Sequence, residues 1–371
     1  MENNTELETI DNFKWYYKNL FTWKAKYYLK GKRIIYFGDK IDEPKFTVIL
    51  KKIKVENHYD QILREIYFLT CCKNCKYFIK LVDIFLSEDT NYILLILKDE
   101  GVNLSELINY ANNGEDNYDY TTIDNMIKWI IFQIVCGLYI LHKNKLVHHD
   151  IKPGNVLISS TGKVKIADFG SIDKSSIPGN GTIFYESPEG LISKNSTEKD
   201  DMWGVGVIMV ELFSKKCPFF NYKEFRKNND GIKISQLKSI LSKYKINVNN
   251  EQININNNNH FSNIINNIIK PKAYDKYKIQ EELINIEGIE DSEALDLINN
   301  LLKINPEKRF SAKQALNSKY LSKYKDNFQD CEILYKENDY QSLLNSSNDK
   351  KIFIKNVEAI KQKFFGEILF E

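Results

Sequence analysis

The chain is most constrained between residues 147 and 170, where Val147-His148-His149-Asp150-Ile151-Lys152-Pro153-Gly154-Asn155-Val156-Leu157 is followed, after a short hairpin, by Asp168-Phe169-Gly170. Asp150 offers a carboxylate, Lys152 a cation two residues on, and Asn155 an amide five residues on. That set fits a base, a phosphate clamp and a metal ligand, and Asp168 adds a second carboxylate for metal. These are the parts phosphoryl transfer needs: divalent ions against phosphate charge, a cation on the phosphates, and a base at the acceptor hydroxyl. Such a loop works only when rigid elements hold it. Met126 to His142 supplies one, with Ile127, Ile130, Ile131, Ile134, Leu138 and Leu141 at helical spacing, running straight into the loop.

With 371 residues, 43% of them apolar, the chain can bury one large or two moderate cores. Lys plus Arg (52) nearly balance Asp plus Glu (50), so no global field points to nucleic acid or an anionic membrane as partner. The longest apolar stretch, Trp129 to Leu141, has 13 residues and contains Gln133, too short to cross a bilayer, and the polar N-terminus lacks a signal pattern. A soluble protein of the cytoplasm or nucleus is expected. Cys71, Cys72 and Cys75 cluster without a second cysteine or histidine pair at zinc spacing, so the six cysteines are read as reduced, mostly packing thiols.

Phe46 to Val55 is rich in β-formers, and Tyr59 to Cys71 carries Ile62, Ile66 and Leu69 at helical spacing. Ile79 to Phe85 and Tyr92 to Leu97 read as two further strands joined by the polar turn Ser87-Glu88-Asp89-Thr90. Beyond residue 98 the pattern turns helical. Asp201 to Phe213 and Ser292 to Lys303 are apolar helices, the second N-capped by Asp291 or Ser292, and Ile234, Leu237, Ile240 and Leu241 mark a short amphipathic one. Residues 247–267 are asparagine-rich and read as an exposed insertion.

In this order the motifs resemble the eukaryotic protein kinase family, with His149 where that family usually has arginine. The resemblance covers roughly residues 26–320. It implies an α+β bilobal fold: a small antiparallel β lobe with one key helix (24–98) and a larger, mainly α-helical lobe (99–322), with Lys98 to Asn103 as hinge. Residues 1–23 and 323–371 are flanking extensions, whose aromatics Phe13, Trp15, Tyr16 and Phe364 suggest docking onto the body.

The resemblance implies roles residue by residue. Asp150 is similar to the catalytic base, Lys152 to the lysine that steadies the transferring phosphate in serine/threonine kinases, and Asn155 and Asp168 to the ligands of Mg²⁺, with Mn²⁺ an alternative. ATP would meet Lys51, oriented by Glu65, together with Ile35, Ile49 and, under the adenine, Leu157. Lys52 is the alternative to Lys51 by one register step, on the opposite face of the strand. Phe169, His148 and Leu69 match an internal packing column. Gly181-Thr182-Ile183-Phe184-Tyr185-Glu186-Ser187-Pro188-Glu189 looks like the end of an activation segment, with Thr182 contacting Asp150 and Lys152. Glu189 and Arg309 match a structural salt bridge, and Asp201 matches the residue that braces the catalytic loop.

Three departures stand out. Tyr27 to Tyr36 contains one glycine where the family's phosphate-covering loop usually has three, so backbone amides approach phosphate less closely. Lys30, Lys32 and Arg33 either compensate as cations or form a solvated basic strand. Ile49 replaces a small alanine and narrows the nucleotide pocket. His149 weakens control by phosphorylation, because arginine there normally holds a phosphorylated segment. Ser175 and Ser176 remain as modification sites, with Arg64 and His149 as partners. The sequence around Lys51 and Glu65 resembles the cyclin-dependent (CMGC) group, although Glu186 stands where that group has arginine, and the absence of a cyclin-binding sequence before Arg64 resembles the monomeric fungal CDK-activating kinases. The implied partners are protein substrates and a regulatory protein on the small-lobe helix or flanking segments, with the chain itself a monomer. The competing reading is a pseudokinase scaffold.

Overall fold

The computed structural model describes residues 21–23, 28–30, 33–40, 43–55, 59–87, 90–113, 119–173, 182–192, 197–219, 289–344 and 349–365, and positions 233, 236–237 and 239–240. Side chains are described from residue 47 onward. The chain forms two compact units, one from residues up to Gly101 together with those from Glu332 onward, the other from Val102–Cys331. Most of residues 1–23, Ser175, Ser176 and the 247–267 insertion lie outside the described residues.

The first unit is built on an antiparallel sheet of β1 (Phe21–Trp23), β2 (Tyr28–Lys30), β3 (Arg33–Lys40), β4 (Glu43–Lys54), β5 (Leu81–Leu86) and β6 (Tyr92–Lys98), in the order β1-β3-β4-β6-β5 with β2 also on β3. The sheet starts earlier than the sequence pattern indicates, since β1 falls within residues 1–23 and pairs Phe21 with Lys40. β2 and β3 pair Tyr28 with Ile35 and Lys30 with Arg33. Side chains alternate along β4. Val48 and Leu50 pack with Leu94 and Ile96 on one face, and Lys51 points to the other.

On that other face lies α1 (Tyr59–Cys71), which spans the residues its periodicity indicates. Cys71, Cys72 and Cys75 are buried at and just beyond its C-terminus, none of the six cysteines is in a disulfide, and burial pushes the Cys71 thiol up to about 11, as for a packing thiol. Two C-terminal helices, here α9 (Glu337–Leu344) and α10 (Lys350–Phe365), belong to this unit and cover α1. The C-terminal extension thus divides, its first residues staying with the second unit and the remainder joining the first.

The second unit holds a small sheet, β7 (Val102–Asn103), β8 (Val156–Ile158) and β9 (Val164–Ile166), and helices α2 (Leu104–Asn113), α3 (Tyr120–Lys143), α4 (Pro188–Ile192), α5 (Glu198–Ser214), α6 (Ser292–Leu301), α7 (Ala312–Leu316) and α8 (Lys319–Ser322). Asp119 caps α3 by accepting from Thr122 N at 2.9 Å, Thr197 and Asp200 form a capping box on α5, and Asp291, not Ser292, caps α6. The 13-residue apolar stretch read in the sequence lies inside the 24-residue α3, which by length and composition alone could cross a membrane. Its Ile127, Ile130, Ile131, Ile134, Val135 and Leu138 are fully buried, so it is the core helix of this unit. Gln133, the polar residue in its apolar stretch, donates to Gly162 O and accepts from Val164 N, tying the β8–β9 hairpin to the helix.

Helix α5 lies close beneath the loop at residues 147–155 because Gly204 has no side chain: a Cβ there would meet Ile151 O at 2.8 Å. Gly204→Ala should therefore push loop and helix apart at a cost of about 1–3 kcal/mol. Urea unfolding of the two forms checks this, and an unchanged midpoint would contradict the close contact.

Candidate active site

The loop after α3 is held from below by one carboxylate. Asp201, in the first turn of α5, accepts from His148 N and His149 N at 2.9 Å each, and His142 Nε2 lies 2.9 Å from it. Burial pushes the Asp201 carboxyl up, but the His142 hydrogen bond and the surrounding histidines outweigh this and leave it below the ordinary carboxylate range. The clasp turns the backbone sharply: His149 sits at φ 66°, a left-handed conformation that costs energy for a residue with a side chain. Val147 and Asp173 exchange backbone hydrogen bonds of 2.8 and 3.1 Å, closing the loop against the segment after Asp168. His148 accepts from Asp150 N at its Nδ1 (3.3 Å), so its proton is on Nε2, directed at Ala167 O (3.1 Å).

Above this base the polar side chains converge. Lys152 Nζ donates to Asp150 Oδ2 (2.5 Å) and to Thr182 Oγ1 (2.6 Å). Thr182 donates to Asp150 Oδ1 from both its N (3.0 Å) and its Oγ1 (3.1 Å). Asn155 Nδ2 donates to Asp150 O (2.8 Å) and Oδ2 (2.9 Å), which leaves its Oδ1, the metal-ligating atom of an amide, without a protein donor among the described residues. Asp168 is left-handed at φ 65°, and its neighbour Phe169 packs edge-on against His148 with centroids 5.0 Å apart. A carboxylate and an amide oxygen are the donor set of a hard divalent cation, so this pair fits Mg²⁺. Leu157 is half-buried in β8, opposite Asn103 of β7.

In the first unit, Lys51 Nζ bonds Glu65 Oε1, both side chains buried. Lys52, on the other face of β4, places its ammonium 4.0 Å from the Tyr92 ring centroid. The register left open by the sequence is thereby resolved: the lysine facing α1 is Lys51. Half-buried Ile49 pairs with Leu97 on β6, and Ile35 pairs with Lys51 across β3 and β4. Leu69 is fully buried in α1.

A family model for the protein kinase domain matches residues 42–321. The chain belongs to this family. The match begins past β2 and β3, where the glycines are missing. The kinase is 29% identical to Cyclin-dependent kinase E-1 of Arabidopsis thaliana, over 80% of this chain and 66% of that protein. It is 30% identical to a probable serine/threonine-protein kinase KIN28 homolog of Encephalitozoon cuniculi, over 78% of this chain and 87% of that protein. It is 31% identical to serine/threonine-protein kinase SSN3 of Candida albicans, over 71% of this chain but 45% of that protein. The chain is a serine/threonine protein kinase similar to members of the cyclin-dependent group.

The end of the kinase's activation segment is anchored in the second unit. Fully buried Arg309 grips both oxygens of Glu189 (2.5 and 2.9 Å), donates to Lys303 O and Lys199 O, and lies 5.0 Å from the Trp203 ring centroid. Burial pushes the Glu189 carboxyl up, against the pull of Arg309. Three contacts have no sequence signal of their own: His142 at Asp201, Tyr185 Oη donating to Glu211 (2.8 Å), and Lys233 paired with Glu186 (3.1 Å). Each joins residues distant in the chain, and each residue alone is an ordinary polar surface type. Glu186 is held up by burial and in part by Asp150, whereas Lys233 pulls it down.

His149 is buried, and that burial lowers its pKa from the ordinary 6.5 despite Asp201. It is therefore neutral at pH 7. In the unfolded chain it binds a proton below about 6.5, so the stability it contributes is complete above that pH and is lost as pH falls toward the folded pKa. His149→Asn, which tolerates the left-handed backbone, should flatten the difference in unfolding free energy between pH 7.5 and 5.5; an unchanged difference would contradict a neutral buried imidazole. Separately, Arg309→Ala strands the Glu189 charge and should cost about 3–5 kcal/mol, read from chemical denaturation.

Proposed function

We propose that this kinase transfers the γ-phosphoryl group of ATP to serine or threonine hydroxyls of protein substrates, and does so without phosphorylation of its activation segment. In the proposed step Asp150 takes the proton of the acceptor hydroxyl while the acceptor oxygen bonds to phosphorus. The bond from phosphorus to the bridging oxygen of ADP breaks, and Lys152 carries the charge on the moving group. Lys51, oriented by Glu65, serves the α and β phosphates, and Ile35, Ile49 and Leu157 the adenine. Asn155 Oδ1 and Asp168 would hold Mg²⁺, which when bound neutralises phosphate charge.

The observation that carries this reading is the meeting of Asp150, Lys152, Asn155 and Thr182 within hydrogen-bond distance. Buried His149, its pKa lowered, supports the second half, since it offers a phosphate on Ser175 or Ser176 a weaker cation than arginine. A role in the cytoplasm or nucleus, and one activating cyclin-dependent kinases, are narrower forms of the same proposal.

Protein treated with phosphatase should phosphorylate a mixed serine/threonine peptide library as fast as untreated protein, and Asp150→Asn should lose about 10²–10⁴-fold in kcat. Activity that vanishes with phosphatase would overturn the independence from phosphorylation. Stabilisation of the fold by Mg²⁺ and ATP with no turnover in any form would favour the scaffold.

A further inference from the structure

Helix α1 carries Glu65 on one side and a second set of contacts on the opposite side. At 3.6 residues per turn, Tyr59, Tyr67 and Cys71 fall on one stripe and Glu65 faces away from it. The stripe is covered by the chain's own C-terminal segment. Leu334 N donates to Cys71 O (3.1 Å), and Tyr67 Oη donates to Lys336 O (3.1 Å) and accepts from Lys336 N (3.3 Å). The Tyr67 ring stacks on Tyr340 and meets Tyr335 edge-on, at 5.7 and 5.5 Å. Further along, Tyr59 packs on Phe353 at 5.0 Å, and Phe353, Val357 and Ile360 of α10 are buried.

The segment is also tied to the sheet. Lys361 lies 3.8 Å from Asp83 and 4.0 Å from the Phe85 ring centroid, both on β5, and Lys350 donates to Asn91 at 2.9 Å. Ile66 to Cys71 of α1 are buried without a break, as in a helix enclosed on every side. A separate protein could reach this stripe only by displacing residues 333–365.

We propose that the C-terminal segment Ile333–Phe365 is a built-in activating subunit, occupying the surface of α1 opposite Glu65 and holding Glu65 on Lys51, so that no cyclin-type partner is needed there. The chain supplies in cis what a regulatory protein would supply in trans. Its aromatic residues fill the helix surface, and its lysines fasten it to β5 and the turn before β6. This assignment rests on the phosphotransfer reading for the catalytic importance of Lys51 and Glu65, but the bracing of α1 does not.

The test uses the full-length chain with Lys361→Asp, Asp83→Lys, the two combined, and Phe353→Leu. Hydrogen–deuterium exchange over residues 59–71 is followed well below the unfolding temperature, beside kcat and KM for ATP. Each single charge reversal should speed α1 exchange and lower kcat/KM by about three- to tenfold, and the double reversal should restore both. Phe353→Leu, which leaves the charges alone, should act in the same direction. Variants that lower Tm but leave α1 exchange and ATP kinetics unchanged would reduce the segment to a stabilising tail and overturn the proposal. Exchange needs neither ATP nor turnover, so a wild-type chain that transfers no phosphate yet shows this α1 response indicts the phosphotransfer reading and not the brace.

Discussion

The second unit is organised around one buried carboxylate. Asp201 accepts two consecutive backbone N–H groups at His148 and His149 and meets His142 from the end of α3, so a single residue joins the core helix, the loop and α5. A buried carboxylate is costly unless its lone pairs are filled, and here three partners fill them. What the clasp provides is a backbone bend that the chain would not hold unaided, since His149 is left-handed. The bend presents Asp150 to Lys152, Asn155 and Thr182, and Gly204 lets the supporting helix lie close enough to sustain it.

Each unit applies the same logic, pairing opposite charges where a position must be fixed. Lys51 and Glu65 do so in the first unit, Glu189 and Arg309 in the second. Buried pairs of this kind contribute little net stability against an apolar alternative, but they penalise loss of either partner and so select one arrangement. The kinase differs from its family's pattern where such selection is normally delegated. The arginine that would read a phosphate is a neutral histidine, and the stripe of α1 opposite Glu65 is covered by the chain's own residues. Both departures are the grounds for the proposed independence from a phosphate and from a partner.

Much of this was legible in the sequence for local reasons. Tyr59–Cys71 appears as a helix because its apolar residues repeat at helical spacing, and α6 starts at Ser292 because Asp291 is a strong cap. Contact of Thr182 with Asp150 and Lys152 was expected from the kinase resemblance. The sheet's early start at β1 was missed because three residues are too few to show a period. Helix α3 was read from Met126 to His142 but starts at Tyr120, because the polar residues of its first turns, Thr121, Thr122, Asp124 and Asn125, hide the apolar period there.

By itself, then, the amino-acid sequence determined the kinase family and the periodic faces of the main helices, and it supplied the candidates for a phosphoryl-transfer set. These depend on residue type and short spacing. The tertiary structure alone decided that Lys51 rather than Lys52 meets Glu65, since alternation separates the two faces of a strand without saying which one a helix will cover. It also decided that His149 is buried, which lowers its pKa. Finally, it brought Lys336 to Tyr67 across 269 residues of chain. A contact at that separation leaves no periodic trace in either segment, because each aromatic stretch would pack equally well on any apolar surface of suitable shape.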